Sequence, residues 1–203
     1  MEELQPLLEI QNDDAALLSD WYAVAHDLQH VINASKLLIG LLEHPERDDT
    51  IVRSLWSSAL ISYARCFGSG RRARLDVVIF DHLQGDPIGA HQYYVNTRNK
   101  HIAHPVNAFE EIRVGLLTDD SGAVVGMGHL ATFRISDSSE GVTQLGALAS
   151  EAMRHVLGVV QPLEVAITAA AKNNIELVAS LRPIRIQPQG GGDAASTPRN
   201  NHA

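Results

Sequence analysis

Cysteine is nearly absent: Cys66 is the only one in 203 residues. This excludes an internal disulfide and any zinc site built from cysteines. It fits a reducing compartment, and it predicts a small, buried, apolar residue at that position. Aromatic residues are scarce at 5%, so the core is expected to be mainly aliphatic. No apolar run approaches the roughly 18 residues that a membrane span requires. The segment MEELQPLLEI lacks the basic start of a secretory signal, and the compartment expected is therefore the cytoplasm. Positive charge is in short supply, with 16 Lys and Arg against 24 Asp and Glu and a net charge of -8. Such a balance argues against broad, sequence-independent binding of nucleic acid. The shortage is uneven. Residues 1–64 carry a balance of -8, residues 65–104 one of +3, and residues 105–203 one of -3. The stretch from Arg65 to His104 is thus either an ordinary solvated surface or a local anion-binding groove in an acidic chain.

The hydrophobic pattern predicts a mainly α protein. One domain is expected over residues 1–186, followed by a disordered Pro/Gly/Ser/Asn-rich tail from 187 to 203. A first helix is read over 14–43, with Asp13 or Asp14 as its cap and room for one break. A second is read from Asp49 to Phe67. Its inner side is expected to be Ile51, Leu55, Ser58, Ile61 and Ser62, and Gly68-Ser69-Gly70 should end it. Arg71 to Leu83 is read as a short helix. Gly85-Asp86-Pro87 marks a turn and a helix start. The third main helix then runs from Ile88 to about Ala103 and stops at Pro105. Between 109 and 136 the pattern becomes β-branched around Asp119-Asp120-Ser121-Gly122, which predicts a β-hairpin. A long helix follows over 140–172, with a kink or break at Pro162. Ile175–Leu181 adds a last turn or strand.

The segment with the most chemistry is Arg98-Asn99-Lys100-His101-Ile102-Ala103-His104-Pro105. On an α-helix Arg98, His101 and Ile102 share a face. Pro105 biases His104 away from helical conformation, so its ring can turn aside at the helix end. A guanidinium holds a phosphate with a fork of donors and never loses its charge. An imidazole exchanges protons near neutral pH. Together around a phosphodiester they can drive transesterification without a metal. The plain alternative is a helix-terminal cation pair that caps carbonyls and favours the dipole.

Other groupings say less. His26 and His30 have metal-ligand spacing, but no Glu follows His26, so a zinc-protease motif is missing and an ordinary histidine pair is expected. Arg71, Arg72 and Arg74 suit phosphates, or a solvated loop. Met127-Gly128-His129 lies on a predicted strand with nothing to pair it. Gly68-Ser69-Gly70 lacks the Gly-Lys-Ser/Thr ending of a phosphate loop, and Ser57 and Ser58 lack the glycines of a nucleophile elbow.

The string RNKHIAH resembles the signature of the HEPN superfamily, in which an Arg and a polar residue precede a His near the end of a helix. The helix containing Ser58-Ala59-Leu60-Ile61-Ser62-Tyr63-Ala64-Arg65 is similar to one that packs before the motif in relatives. The resemblance spans roughly 14–104 and a closing helix near 140–172, with the hairpin as an insertion. It implies a HEPN-like helical bundle that dimerises, so that two motif copies line one cleft. It also implies catalytic roles for Arg98 and His104, with Asn99 orienting them. Asp20 or Asp27 would be the supporting acidic residue of an early helix. Many members are metal-independent ribonucleases of toxin–antitoxin, phage-defence or RNA-processing systems. Others are catalytically silent binding proteins. The expectations are a homodimer, RNA as substrate, an antitoxin or other protein as partner, no membrane, and neither cofactor nor metal. A third reading is a plain helical interaction domain in which the motif only caps a helix.

Overall fold

In a computed structural model, residues 7–70, 72–102 and 110–184 are described. The protein is mainly α-helical with one β-hairpin. In chain order the elements are α1 (Asp13–Leu42), α2 (Asp49–Phe67), a 3-10 turn (Val77–Phe80), α3 (Pro87–Thr97) and a π-helical turn (Arg98–Ile102). There follow β1 (Glu110–Thr118), β2 (Val124–Phe133), α4 (Ser139–Lys172) and α5 (Ile175–Ser180). The expected tail lies outside the described residues, as do Arg71 and the segment 103–109 with His104.

The chain forms two compact units, 1–22 with 158–203 and 23–157. In the described part of the first, the Leu7–Glu9 segment pairs with Arg182–Ile184: the Glu9 amide donates to the Arg182 carbonyl and the Ile184 amide to that of Leu7, both at 2.8 Å. The Tyr22 hydroxyl donates to Glu164. Asn174 caps α5 by accepting from the Leu177 amide.

The second unit holds the core and the motif. α1 runs unbroken, and its cap is Asn12, which accepts from the Ala15 amide at 2.8 Å, rather than Asp13 or Asp14. It buries Val24, Leu28, Val31, Ala34 and Leu38 at helical spacing. Against these α4 sets Val142, Leu145, Ala149, Ala152 and Val156, all fully buried. A Cβ on Gly146 would come within 3.1 Å of Ser35 Cβ, so a glycine is what lets α1 and α4 approach there. α4 continues through Pro162 without interruption.

α2 starts at Asp48, whose carboxylate accepts from the Thr50 and Ile51 amides at 2.7 and 3.3 Å. Its buried side is Val52, Trp56, Ala59, Leu60, Ser62, Tyr63 and Cys66, and Ile51 is half exposed. The inner face is therefore turned by about one residue from the expected one. The large rings decide this: Trp56, Tyr63 and Phe67 stand seven and four residues apart, on one helical face, and they bury more apolar area than the aliphatic residues beside them. Burial pushes the Cys66 thiol up to about 12, with a further push from Asp27. The cysteine is thus an unreactive core residue.

Between α2 and α3 the expected short helix shrinks to the single turn Val77–Phe80, capped by Asp76. Leu75 and Phe80 are its buried anchors. Phe80 completes an aromatic cluster, with ring centroids 5.9 Å from Phe67 and 6.0 Å from His91. The few aromatics of the chain are concentrated here, and Tyr94 packs edge-on against both Trp56 and Tyr63.

His91 sits inside this cluster, buried, with Nδ1 3.0 Å from the Tyr63 hydroxyl. Burial lowers its pKa from the ordinary 6.5, so the folded state holds it neutral. Near pH 6 the unfolded chain therefore binds more protons at this position, and stability rises with pH. The contribution is complete above about 6.5 and is lost as pH falls below that value. His91→Gln keeps an acceptor for Tyr63 but cannot titrate. Urea midpoints at pH 7 and 5.5 should therefore fall less in His91→Gln than in the natural protein. An equal fall in both would show that His91 does not couple to folding.

Candidate functional site

α3 is placed by its ends and its middle. Asp86 caps it by accepting from the Gly89 amide at 2.8 Å, and Pro87 opens the first turn. Halfway along, the Tyr94 hydroxyl donates toward α4 and lies 2.7 Å from the Gly141 carbonyl and 2.9 Å from Gln144 Oε1. The motif begins where α3 stops being an α-helix. From Arg98 to Ile102 the backbone makes a π-turn, in which hydrogen bonds close five residues back rather than four. The third helix is thus present where the sequence predicts it, but its last described turn is wider than expected.

His101 and Ile102 line a cavity of about 140 Å³ together with Arg53, Trp56, Tyr93, Thr97, Glu110 and Arg134. Arg98 is not among its lining residues. An α-helical turn advances 100° per residue, which aligns positions 98, 101 and 102. A π-turn advances roughly 80° per residue, which swings position 101 away from 98 and leaves 102 near it.

Arg98 is half-buried. Its Nη1 donates to Asn99 Oδ1 at 3.0 Å. Its Nε is buried and meets no hydrogen-bond acceptor among the described residues. Asn99 and Lys100 are exposed. Of the three residues predicted to form the site, the structure brings Arg98 and Asn99 together, and His104 lies outside the described residues.

The cavity next to the motif was not legible in the sequence, because it draws on α2, α3 and both sides of the hairpin. Its charges are largely paired. Arg53 lies 3.3 Å from Glu110, and Arg134 lies 2.6 Å from Asp137. The Tyr93 hydroxyl donates to the other oxygen of Asp137 at 2.8 Å. Burial, then the hydrogen bond to Asp137, raises the Tyr93 phenol, so it stays a neutral donor.

The early-helix acid Asp27 accepts from Arg72 at 2.6 Å and lies 3.6 Å from Arg65. It therefore neutralises two members of the basic stretch, Arg72 among those that suited phosphates. Asp20 belongs to the other compact unit. His30 Nε2 lies 3.0 Å from the Ser58 hydroxyl, which itself donates to the Leu55 carbonyl, so the histidine donates to the serine. No group of three or more His, Cys, Asp or Glu gathers as a metal site among the described residues. No described helix is long and apolar enough to cross a membrane. No protein-family model, curated protein or solved structure matches the chain.

Proposed function

We propose that this chain is a HEPN-type, metal-independent endoribonuclease working as a cytoplasmic homodimer, with Arg98 and His104 as the reacting pair. The observation that carries the reading is the state of Arg98. It opens a π-turn, a feature found often at functional sites. Its Nη1 is steadied by Asn99, and its Nε is buried with no acceptor. A phosphate oxygen would supply that acceptor, and Asn99 fits the orienting role the resemblance implies. In the reaction, His104 takes the proton of a ribose 2′-OH. The oxygen attacks the adjacent phosphorus, the P–O5′ bond breaks, and the imidazolium so formed gives its proton to the departing 5′ oxygen. The products are a 2′,3′-cyclic phosphate and a 5′-hydroxyl. Arg98 stabilises the charge that builds on the non-bridging oxygens.

A second reading has its own support. The net charge of -8 and the pairing of Arg53 and Arg134 with acids leave little free positive charge for RNA. These features favour a catalytically silent HEPN-like protein that binds an antitoxin or another protein. Cleavage of labelled single-stranded RNA in excess EDTA separates the two.

A further inference from the structure

The cavity beside the motif is small and its charge is balanced. At about 140 Å³ it is well below the roughly 300 Å³ of sites that take drug-sized ligands. It has room for one ring system and not for a whole nucleotide. Arg134 is tied to Asp137 at 2.6 Å, and the Tyr93 hydroxyl donates to the same carboxylate at 2.8 Å. These three side chains hold one another in place. The second pair is looser. Arg53 Nη2 lies 3.3 Å from Glu110 Oε1, longer than the roughly 2.7–2.9 Å of a tight charge-assisted bond. A guanidinium has five N–H donors and a carboxylate about four acceptor sites. This contact is the one hydrogen bond that either side chain makes among the described residues. Unused donors and unused acceptors therefore stand side by side in the cavity wall.

We infer that the cavity is a pocket for one nucleobase, guanine, read along its Watson–Crick edge by Arg53 and Glu110. Guanine presents an acceptor and two donors in a row: O6, N1–H and N2–H. A guanidinium beside a carboxylate presents the complement, with Arg53 donating to O6 and Glu110 accepting from N1–H and N2–H. The other bases match less well. Adenine turns a lone pair at N1 toward the carboxylate, and uracil flanks its single N–H with two carbonyls. Cytosine gives the carboxylate one donor group where guanine gives two. The rings of Trp56 and Tyr93 stand in the wall, with Tyr93 36% exposed, and the faces of bases stack on such rings. Charge selects a base over a phosphate. Glu110 in the wall and the net charge of -8 repel an anion, whereas a neutral heterocycle meets no such barrier. The base comes from single-stranded RNA or from a free guanine nucleotide. In RNA the pocket would choose which phosphate meets His104, which follows Ile102 of the wall by two residues in the chain. That use alone rests on the nuclease reading.

Ligand-observed NMR titration of the full chain with guanosine, inosine, adenosine, cytidine and uridine tests the pocket with no scissile bond present. Guanosine should bind with a Kd on the order of 0.1–1 mM, and about tenfold or more tighter than adenosine, cytidine or uridine. Inosine lacks the N2 amine and should bind several-fold more weakly than guanosine. Glu110→Gln should weaken guanosine about tenfold or more and bring guanosine and inosine together. A merely structural role for Glu110 would not remove that difference. Glu111→Gln, next along the strand and paired with Arg113, should change neither. Far-UV circular dichroism checks that each variant is folded. Tighter binding of the trinucleotide UpGpU than of 5′-GMP assigns the base to RNA, and the reverse order assigns it to a free nucleotide. The inference is overturned by no guanosine binding up to about 2 mM, by preference for another base, or by a guanosine–inosine difference that survives Glu110→Gln. A chain that binds guanosine and cuts no RNA keeps the pocket and loses the nuclease reading. One that cuts RNA without binding guanosine does the reverse.

Discussion

His104→Ala should slow cleavage of a labelled single-stranded RNA in excess EDTA by a hundredfold or more. The size follows from the role: loss of a general acid or base costs about 10²–10⁴-fold. Arg98→Lys should lose a comparable amount although charge is kept, because an ammonium is a point donor and cannot reproduce the planar fork. Arg98 has a further handicap as lysine. Asn99 holds Nη1 at 3.0 Å and so fixes the plane of the fork, whereas a rotating ammonium has no plane to fix. Asn99→Ala should fall less, since it loosens the guanidinium without removing it. Circular dichroism and urea midpoints should be nearly unchanged for His104→Ala and Asn99→Ala. If the natural protein is inactive on many RNAs, or His104→Ala cuts as fast, the nuclease reading fails and the silent binding protein replaces it.

Phe80→Ala should cost about 3–5 kcal/mol of stability, the range for truncating a buried ring. Phe80 is fully buried, and it joins the 3-10 turn to Phe67 on α2 and His91 on α3. The turn itself is only four residues long and cannot hold its conformation by helical hydrogen bonding. Removing the ring should therefore release the 75–80 segment as well as leave a cavity. Phe80→Leu keeps most of the volume and should cost less than half as much. Val78, exposed in the same turn, is the control, and Val78→Ala should fall within about 0.5 kcal/mol of the natural protein. Urea unfolding followed by circular dichroism measures all three. A small loss for Phe80→Ala would mean that the turn is not anchored through its ring.

The sequence was most readable where local chemistry decides the outcome. Asp86-Pro87 starts α3 because a cap and a preset φ act within one turn. Asp119–Gly122 makes the hairpin turn because Gly122 adopts a φ of +82° that other residues resist. It was least readable where distant residues decide. The buried face of α2 depends on rings from the 3-10 turn and α3, which no local period contains. The π-turn is invisible to a pattern that assumes 3.6 residues per turn, and the cavity takes His101 and Ile102 into its lining without Arg98. The cavity beside the motif joins Arg53 of α2, Tyr93 of α3 and Arg134, which follows β2. The hairpin's β-branched composition was plain, but the exposure of its apolar face appears only when the register is known.

α4 has one interior position where the ladder of amides is interrupted. Pro162 has no N–H, so the Gly158 carbonyl four residues earlier receives no bond from it. Gly158 is also where the two compact units divide within the helix. Amide exchange along α4 should therefore be slow in two blocks. The residues around 158–162 should exchange first, by local fraying rather than global unfolding. In a mass-resolved exchange experiment the helix should report two protection energies, with Val142–Val156 retaining deuterium resistance after the stretch beyond Pro162 has lost it.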